Sequence, residues 1–287
     1  MADSPWVSVT HGRVAAALPL VCDSPHSGIT YPEDFGHSLP MAQLRLGEDT
    51  HVERLWSHAS HVGATLIAAN FPRTYIDPNR TLADIDPGML DGPWLHPVEP
   101  SRKTELGIGL VWRQVREGMP IYRRTLSVGE VLRRVEQCWM PYHLALQAAA
   151  DKAVATWGAC WHLNLHSMPH DAYSRLGMAT DKALADFVLG DRHGTSCEPG
   201  FVHAVRQALE RQGFTVAVND PYEGQELVRK MGQPHLQRHS LQVEVNRSLY
   251  MNEATREPHA TFETMRAALA TVLDEVAGYV KHQIRRT

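Results

Sequence analysis

Cysteine is scarce in this chain of 287 residues: there are four, Cys22, Cys138, Cys160 and Cys197, and no two form a CxxC pair. That spacing excludes a structural zinc knuckle and a dense disulfide framework. Cys22 and Cys160 lie in apolar runs and read as small core residues. Positive charge is not in excess either, since 28 Lys and Arg face 32 Asp and Glu for a formal net charge of -4. No basic stripe for nucleic acid is therefore expected. No apolar run approaches the ~20 residues of a bilayer-spanning helix, which excludes a membrane anchor of that kind. Residues 1–13 lack the charged segment, apolar core and small-residue cleavage site of a secretory signal, so a cytoplasmic location is expected. Several catalytic signatures are missing as well. There is no HExxH, no GxSxG around Ser24 or Ser27, no Walker loop and no GxGxxG, which excludes helical zinc-protease, serine-elbow and nucleotide-cradle readings. Internal repeats and low-complexity tracts are also absent.

What is present is an alternation of apolar runs and helical periods. The length is near the upper end of what one core holds, so a single α/β domain over residues 1–287 is expected. Residues 18–23 read as a buried strand that breaks into a loop at Ser24-Pro25-His26-Ser27-Gly28. From Asp49 onward, Val52, Leu55, Trp56 and Ala59 share a helical face ending near Gly63, and residues 64–69 return as a strand. Residues 74–77 read as a short strand delivering Asp77-Pro78-Asn79-Arg80, where proline forbids helix continuation. Residues 82–121, rich in Pro, Gly and Trp, have no sustained period and read as a long excursion over the surface. Residues 128–157 read as helical with an interruption near Pro141, and residues 159–165 as a strand finishing at His166. Strands follow at 187–189, 215–218 and 241–245, with helices at 199–212 and 260–284. This order implies a three-layer α/β sandwich, a mixed, mostly parallel sheet flanked by helices, with ligands gathered beyond strand carboxyl ends.

Hydrolysing an amide at neutral pH needs a nucleophile better than water and a charge to meet the oxyanion, and zinc with three protein ligands supplies both. His26 and His166 each follow a core strand, where an imidazole can reach a cleft from a rigid base. The alternative is a hydrogen-bonded loop histidine. Asp49 can bind metal or cap the helix it precedes, and Glu48 beside it competes for the same role. Glu244 lies mid-strand among apolar residues, where a carboxylate is costly unless paired, metal-bound or shifted in pKa. A general base or an ion pair with Arg247 or Arg229 accounts for it. The Asp77-Asn79-Arg80 turn can present a planar fork to a carboxylate, or simply hold a solvated arginine. His143, after the helix break, reads as a packed or capping histidine.

Beyond those readings, the chain resembles the N-formylglutamate amidohydrolase family. The residues that carry the likeness are Ser24 to Gly28, Asp49 with Val52 and Leu55-Trp56, Arg73 to Arg80, Trp139 to His143, Leu165-His166-Ser167, Gly194 to Cys197, and Glu244 to Met251. That family is similar in fold to zinc carboxypeptidases and aspartoacylases, a phosphorylase/hydrolase-like architecture. The resemblance implies one Zn2+ bound by His26, Asp49 and His166, with Glu244 as catalytic base. It implies Arg80 and Asn79 as the carboxylate-binding pair, with Arg73, Arg247 and Ser196 as further substrate contacts. Two departures stand out. Ile29 occupies the position three after His26 where carboxypeptidases carry their ligand glutamate, and Asp-Pro-Asn-Arg replaces the more usual Asp-Leu-Asn-Arg. The implied activity is removal of a formyl or short acyl group from an N-acyl amino acid, foremost N-formyl-L-glutamate plus water giving formate and L-glutamate. A zinc carboxypeptidase or N-acyl amino acid hydrolase of other specificity, or a non-catalytic binding protein on the same fold, is the competing expectation. The expected partner is a small-molecule substrate, without nucleic acid or membrane, for a monomer or small homo-oligomer.

Overall fold

The computed structural model describes residues 4–13 and 17–285. The chain divides into two compact units, one of Met1–Ser8, Pro25–Thr50 and Ala68–Ala145, the other of Val9–Ser24, His51–Ile67 and Leu146–Thr287. Among the described residues no helix is long and apolar enough to cross a membrane.

Most of the sheet belongs to the second unit. Its strands are β1 (Val7–Thr10), β2 (Leu20–Ser24), β3 (Thr65–Ala69), β4 (Cys160–Met168), β5 (Phe187–Gly190), β6 (Val216–Val218) and β7 (Arg238–Asn246). Their order is β1-β3-β2-β4-β7-β5-β6. β4 pairs parallel with both β2 and β7, β5 pairs parallel with β6, and β5 runs antiparallel to β7. The sheet is thus mixed and mostly parallel, the α/β arrangement that the alternating pattern implied.

Period two explains the central strands. Trp161, Leu163 and Leu165 alternate along β4, as Leu241, Val243 and Val245 do along β7, and both sets enter the main core with Leu20 and Cys22 of β2. Helix Pro199–Arg211 meets them with Phe201, Val205 and Leu209, and helix Phe262–Gln283 with Leu269, Val272, Leu273 and Val276. Spacing of three and four residues on a helix matches spacing of two on a strand because each places apolar groups on one side. Each such side chain contributes about 1.5–3 kcal/mol by leaving water. All four cysteines are free and buried, and burial pushes the Cys160 thiol up to about 12, in keeping with a core role.

Some expected elements take another form. The helix expected from Asp49 is reduced to one turn, Val52–Leu55, followed by a 3-10 turn, Ser57–Ser60. His51 sits in the left-handed region at φ 71 and forms the N-cap without a side-chain cap bond, so no helix can begin at Asp49. The capping reading of Asp49 therefore fails.

The first unit is built mainly from turns. Residues 74–77 are not a strand: Tyr75 N–H donates back to the Pro72 carbonyl at 3.0 Å, and Asp77 N–H donates to the Leu110 carbonyl at 2.8 Å. The segment 82–121 is not merely a surface excursion either. Ile85, Leu110, Val111 and Ile121 are buried within it, and the Trp94 indole N–H donates to the Leu82 carbonyl at 2.9 Å. Its apolar residues follow turns rather than a regular element, which is why no period marks them.

Helix Val128–Arg134 starts at Ser127, whose hydroxyl accepts from Glu130 N–H at 3.0 Å. The break lies before Pro141 as a π-turn, Val135–Trp139, leading into helix Met140–Trp157. Proline lacks the N–H that would bond the preceding turn and its ring crowds that turn, so the ladder widens there. Arg134, the last residue of helix Val128–Arg134, is fully buried. Its guanidinium contacts Glu130 at 2.5 Å, donates to the Tyr122 hydroxyl at 2.6 Å and the Tyr75 carbonyl at 3.0 Å, and lies 4.2 Å over the Tyr75 ring. That set of bonds ties the turn containing Tyr75 to the helix.

Candidate active site

In the first unit, His26 emerges directly after β2. Its Nε2 meets Asp77 Oδ1 at 2.7 Å, its Nδ1 stands 3.4 Å from Asp49 Oδ2, and its carbonyl accepts from Asp49 N–H at 2.9 Å. Asp77 is enclosed and collects donors. Arg73 gives it Nη2 at 2.9 Å and Nε at 3.2 Å, Trp112 its indole N–H at 3.2 Å, and Asn79 its backbone N–H at 2.9 Å. Burial alone would raise the Asp77 pKa, but the charges of Arg73, His26 and Arg80 outweigh it and hold the carboxyl well below the usual range. A carboxylate only accepts, so His26 Nε2 donates to Asp77 and Nδ1 is turned toward Asp49. Sequence reading placed Asp77 in a substrate-facing turn, whereas the carboxylate is occupied in orienting His26. Arg73, stacked 4.8 Å over Trp112, is chiefly the counter-charge of Asp77.

Glu48 and Asp49 separate clearly. Glu48 accepts from the Tyr31 hydroxyl at 2.7 Å, Arg45 Nε at 3.1 Å and Thr50 hydroxyl at 2.9 Å, so both its oxygens serve the local fold. Asp49 is the one turned to His26.

The turn at 77–80 is held from behind. Arg80 is buried, with Nε donating to the Ile108 carbonyl at 3.1 Å and Nη1 to the Asn79 carbonyl at 2.8 Å, which fixes the plane of its guanidinium. Burial lowers its pKa, offset in part by Asp77 and Asp84. The π-turn and the helix that follows it supply the clamp: Trp139 indole N–H donates to the Arg80 carbonyl at 3.0 Å and His143 Nε2 to the Pro78 carbonyl at 2.9 Å, with the two rings stacked 3.7 Å apart. His143 is thus packed, as the sequence suggested.

In the second unit, β4 and β7 lie in register with His166 opposite Glu244, Asn164 opposite Gln242 and His162 opposite Ser240. Registered residues of parallel neighbours share a face. Glu244 accepts from Gln242 Nε2 at 2.9 Å, and His166 Nε2 meets Asn164 Oδ1 at 2.8 Å. Neither arginine considered as its ion-pair partner is turned over to that duty alone: Arg229 binds Glu226 at 2.7 Å, and Arg247 donates to the Ser167 hydroxyl at 2.9 Å and carbonyl at 3.2 Å. Ser196 lies elsewhere. Its hydroxyl donates to the Ser240 carbonyl at 2.7 Å, and Glu244 is four residues further along the strand, roughly 13 Å at the usual rise. The structure does not bring Ser196 to Glu244, because the serine is used to fasten the start of β7.

Among the described residues, His26, Asp49 and His166 form a group of side chains that could hold a metal ion, each offering one ligand atom and each buried. Sequence reasoning missed Asp77 as a histidine partner, Trp112, and the Asn164 contact to His166. The last had a visible signal, the polar alternation His162, Asn164, His166.

A mixed sheet with flanking helices, whose central strands carry histidine and glutamate side by side, defines an α/β protein with the groups for hydrolytic chemistry. The chain matches the N-formylglutamate amidohydrolase family over residues 18–251 and belongs to it. The crystal structure of N-formylglutamate amidohydrolase from Ralstonia eutropha is 51% identical, with a TM-score of 0.95 over 97% of this chain and 99% of that one. The N-formylglutamate deformylase of Pseudomonas putida is 28% identical over 263 residues, covering 90% of this chain and 91% of that protein. That of Pseudomonas aeruginosa is 28% identical over 277 residues, covering 94% of each.

Proposed function

We propose that this chain hydrolyses N-formyl-L-glutamate to formate and L-glutamate, with one Zn2+ held by His26, Asp49 and His166. The observation that carries the reading is this donor set, two imidazoles and a carboxylate, all buried. Such a set is what zinc takes in hydrolytic sites that keep a position for water. Each imidazole also has an acceptor on its second nitrogen, Asp77 for His26 and Asn164 for His166, the usual way a ligand ring is oriented. Bound by these residues, zinc supplies a water of lowered pKa and a positive charge for the oxyanion.

The chain's own groups do the rest. Glu244 takes a proton from the attacking water, whose oxygen bonds to the formyl carbon. As the C–N bond breaks, Glu244 returns that proton to the leaving nitrogen. Arg80, with its plane set by two carbonyls, and Asn79 bind a substrate carboxylate, which places the amide before the chemistry begins. Arg73 and Arg247 are secondary contacts for the same substrate charge.

The test combines metal analysis of the purified chain with formate release from N-formyl-L-glutamate, and acetate or amino acid release from N-acetyl and peptidyl analogues. Stoichiometric zinc and preference for the formyl substrate are expected. Full turnover in protein freed of divalent metal would sink the metal assignment, and a preference for the acetyl or peptidyl substrate would sink the substrate assignment.

A further inference from the structure

We propose that Asp23 and Asn164 form a buried relay that fixes the tautomer of His166 and thereby selects Nδ1 as its metal-binding nitrogen. This deepens the zinc reading above and rests on it.

The relay follows from what each group can donate. Asp23 on β2 and Asn164 on β4 are registered neighbours, and neither has any exposure to solvent. Two groups converge on Asp23 Oδ1, His162 Nε2 at 2.8 Å and Asn164 Nδ2 at 2.8 Å. A carboxylate has no hydrogen to give, so both must donate. That requirement orients the Asn164 amide: its NH2 faces Asp23 and its oxygen faces His166 Nε2, 2.8 Å away. An amide oxygen only accepts. His166 must therefore carry its hydrogen on Nε2, and in a neutral imidazole the electron pair then belongs to Nδ1.

His162 closes the other end, its Nδ1 accepting from the Ser240 hydroxyl at 2.8 Å. Every member lies on the polar side of β4 or beside it, because His162, Asn164 and His166 alternate at the strand's period. The information that sets the ring thus originates at Asp23, which precedes His166 by about half of the chain.

Asp23→Asn isolates this role. The substitution preserves shape but removes the acceptor-only condition, so the Asn164 amide is free to turn over and present N–H to His166 Nε2. The ring hydrogen then moves to Nδ1 and blocks that nitrogen.

The experiment has two readouts on the full-length, zinc-loaded protein. In competition with a chromophoric chelator, Asp23→Asn is expected to bind zinc about 10–100-fold more weakly than wild type. In histidine 15N NMR of the wild type, His166 is expected to show a protonated Nε2 and a metal-shifted Nδ1. Wild-type zinc affinity in Asp23→Asn, or a hydrogen on His166 Nδ1, would overturn the relay. If the variant does not fold, the wild-type spectrum decides alone. Absence of zinc binding by the wild type overturns the metal reading instead, and the His166 tautomer remains readable in the zinc-free protein.

Discussion

The two faces of β4 and β7 are equally buried and held by opposite means. On one, Trp161, Leu163, Leu165, Leu241, Val243 and Val245 are packed against helices. On the other, His162, Asn164, His166, Ser240, Gln242 and Glu244 are enclosed with hydrogen-bond partners. Apolar burial is non-directional and scales with area, so it sets how stable the sheet is. Hydrogen bonds in an enclosed setting are directional and leave a penalty when unmet, so they set where each ring and carboxylate points. One strand pair thus separates stability from orientation by side.

Breaking each face should produce a different symptom. The largest effect is expected from Glu244→Gln, which keeps shape and burial and removes the proposed base. Turnover of N-formyl-L-glutamate should fall by about 100- to 10,000-fold with the urea midpoint near wild type. Retention of wild-type turnover would show that the polar face is not catalytic. Next comes Leu163→Ala on the apolar face, expected to cost about 2–5 kcal/mol in urea unfolding while kcat of the folded protein stays unchanged. A proportionate loss of kcat would mean that the faces are not separable. Arg80→Ala carries the contrast to the turn. A charge-assisted contact of about 1.5–3 kcal/mol should be lost, seen as a 10–100-fold rise in KM, on the order expected from that energy, with zinc content intact.

The smallest effect concerns an ion pair outside both faces. Burial raises the Glu130 pKa, but hydrogen bonds and charge from Arg124 and Arg134 outweigh it, leaving the carboxyl below its usual 4.5. A depressed pKa contributes stability that is complete above the unfolded value and disappears as pH falls through the folded one. The difference in unfolding midpoint between wild type and Glu130→Gln should therefore be full above about pH 4.5 and shrink below it. A gap that widens on acidification would reverse the assigned sign.

Much of this was legible in the residues. Strands β2, β4 and β7 announce themselves by apolar runs ending in turn formers, and the closing helix by its period. Other features were hidden for definite reasons. A left-handed His51 detaches Asp49 from the helix its neighbours suggest, and no pattern foretells that angle. Arg73 also pairs with Asp77, a partner set by burial that no motif announces. Ser196 stood in a segment shared with the family, yet its hydroxyl fastens β7.

The sequence by itself determined the alternation of strands and helices, the family, and the kinds of group available for chemistry, because periodicity and residue type are local properties. Only the tertiary structure decided that Asp77 orients His26, that Glu48 serves the fold, and that Asn164 faces His166. Those assignments depend on which donor meets which acceptor across distant segments, and hydrogen-bond direction is settled only when the partners are enclosed together.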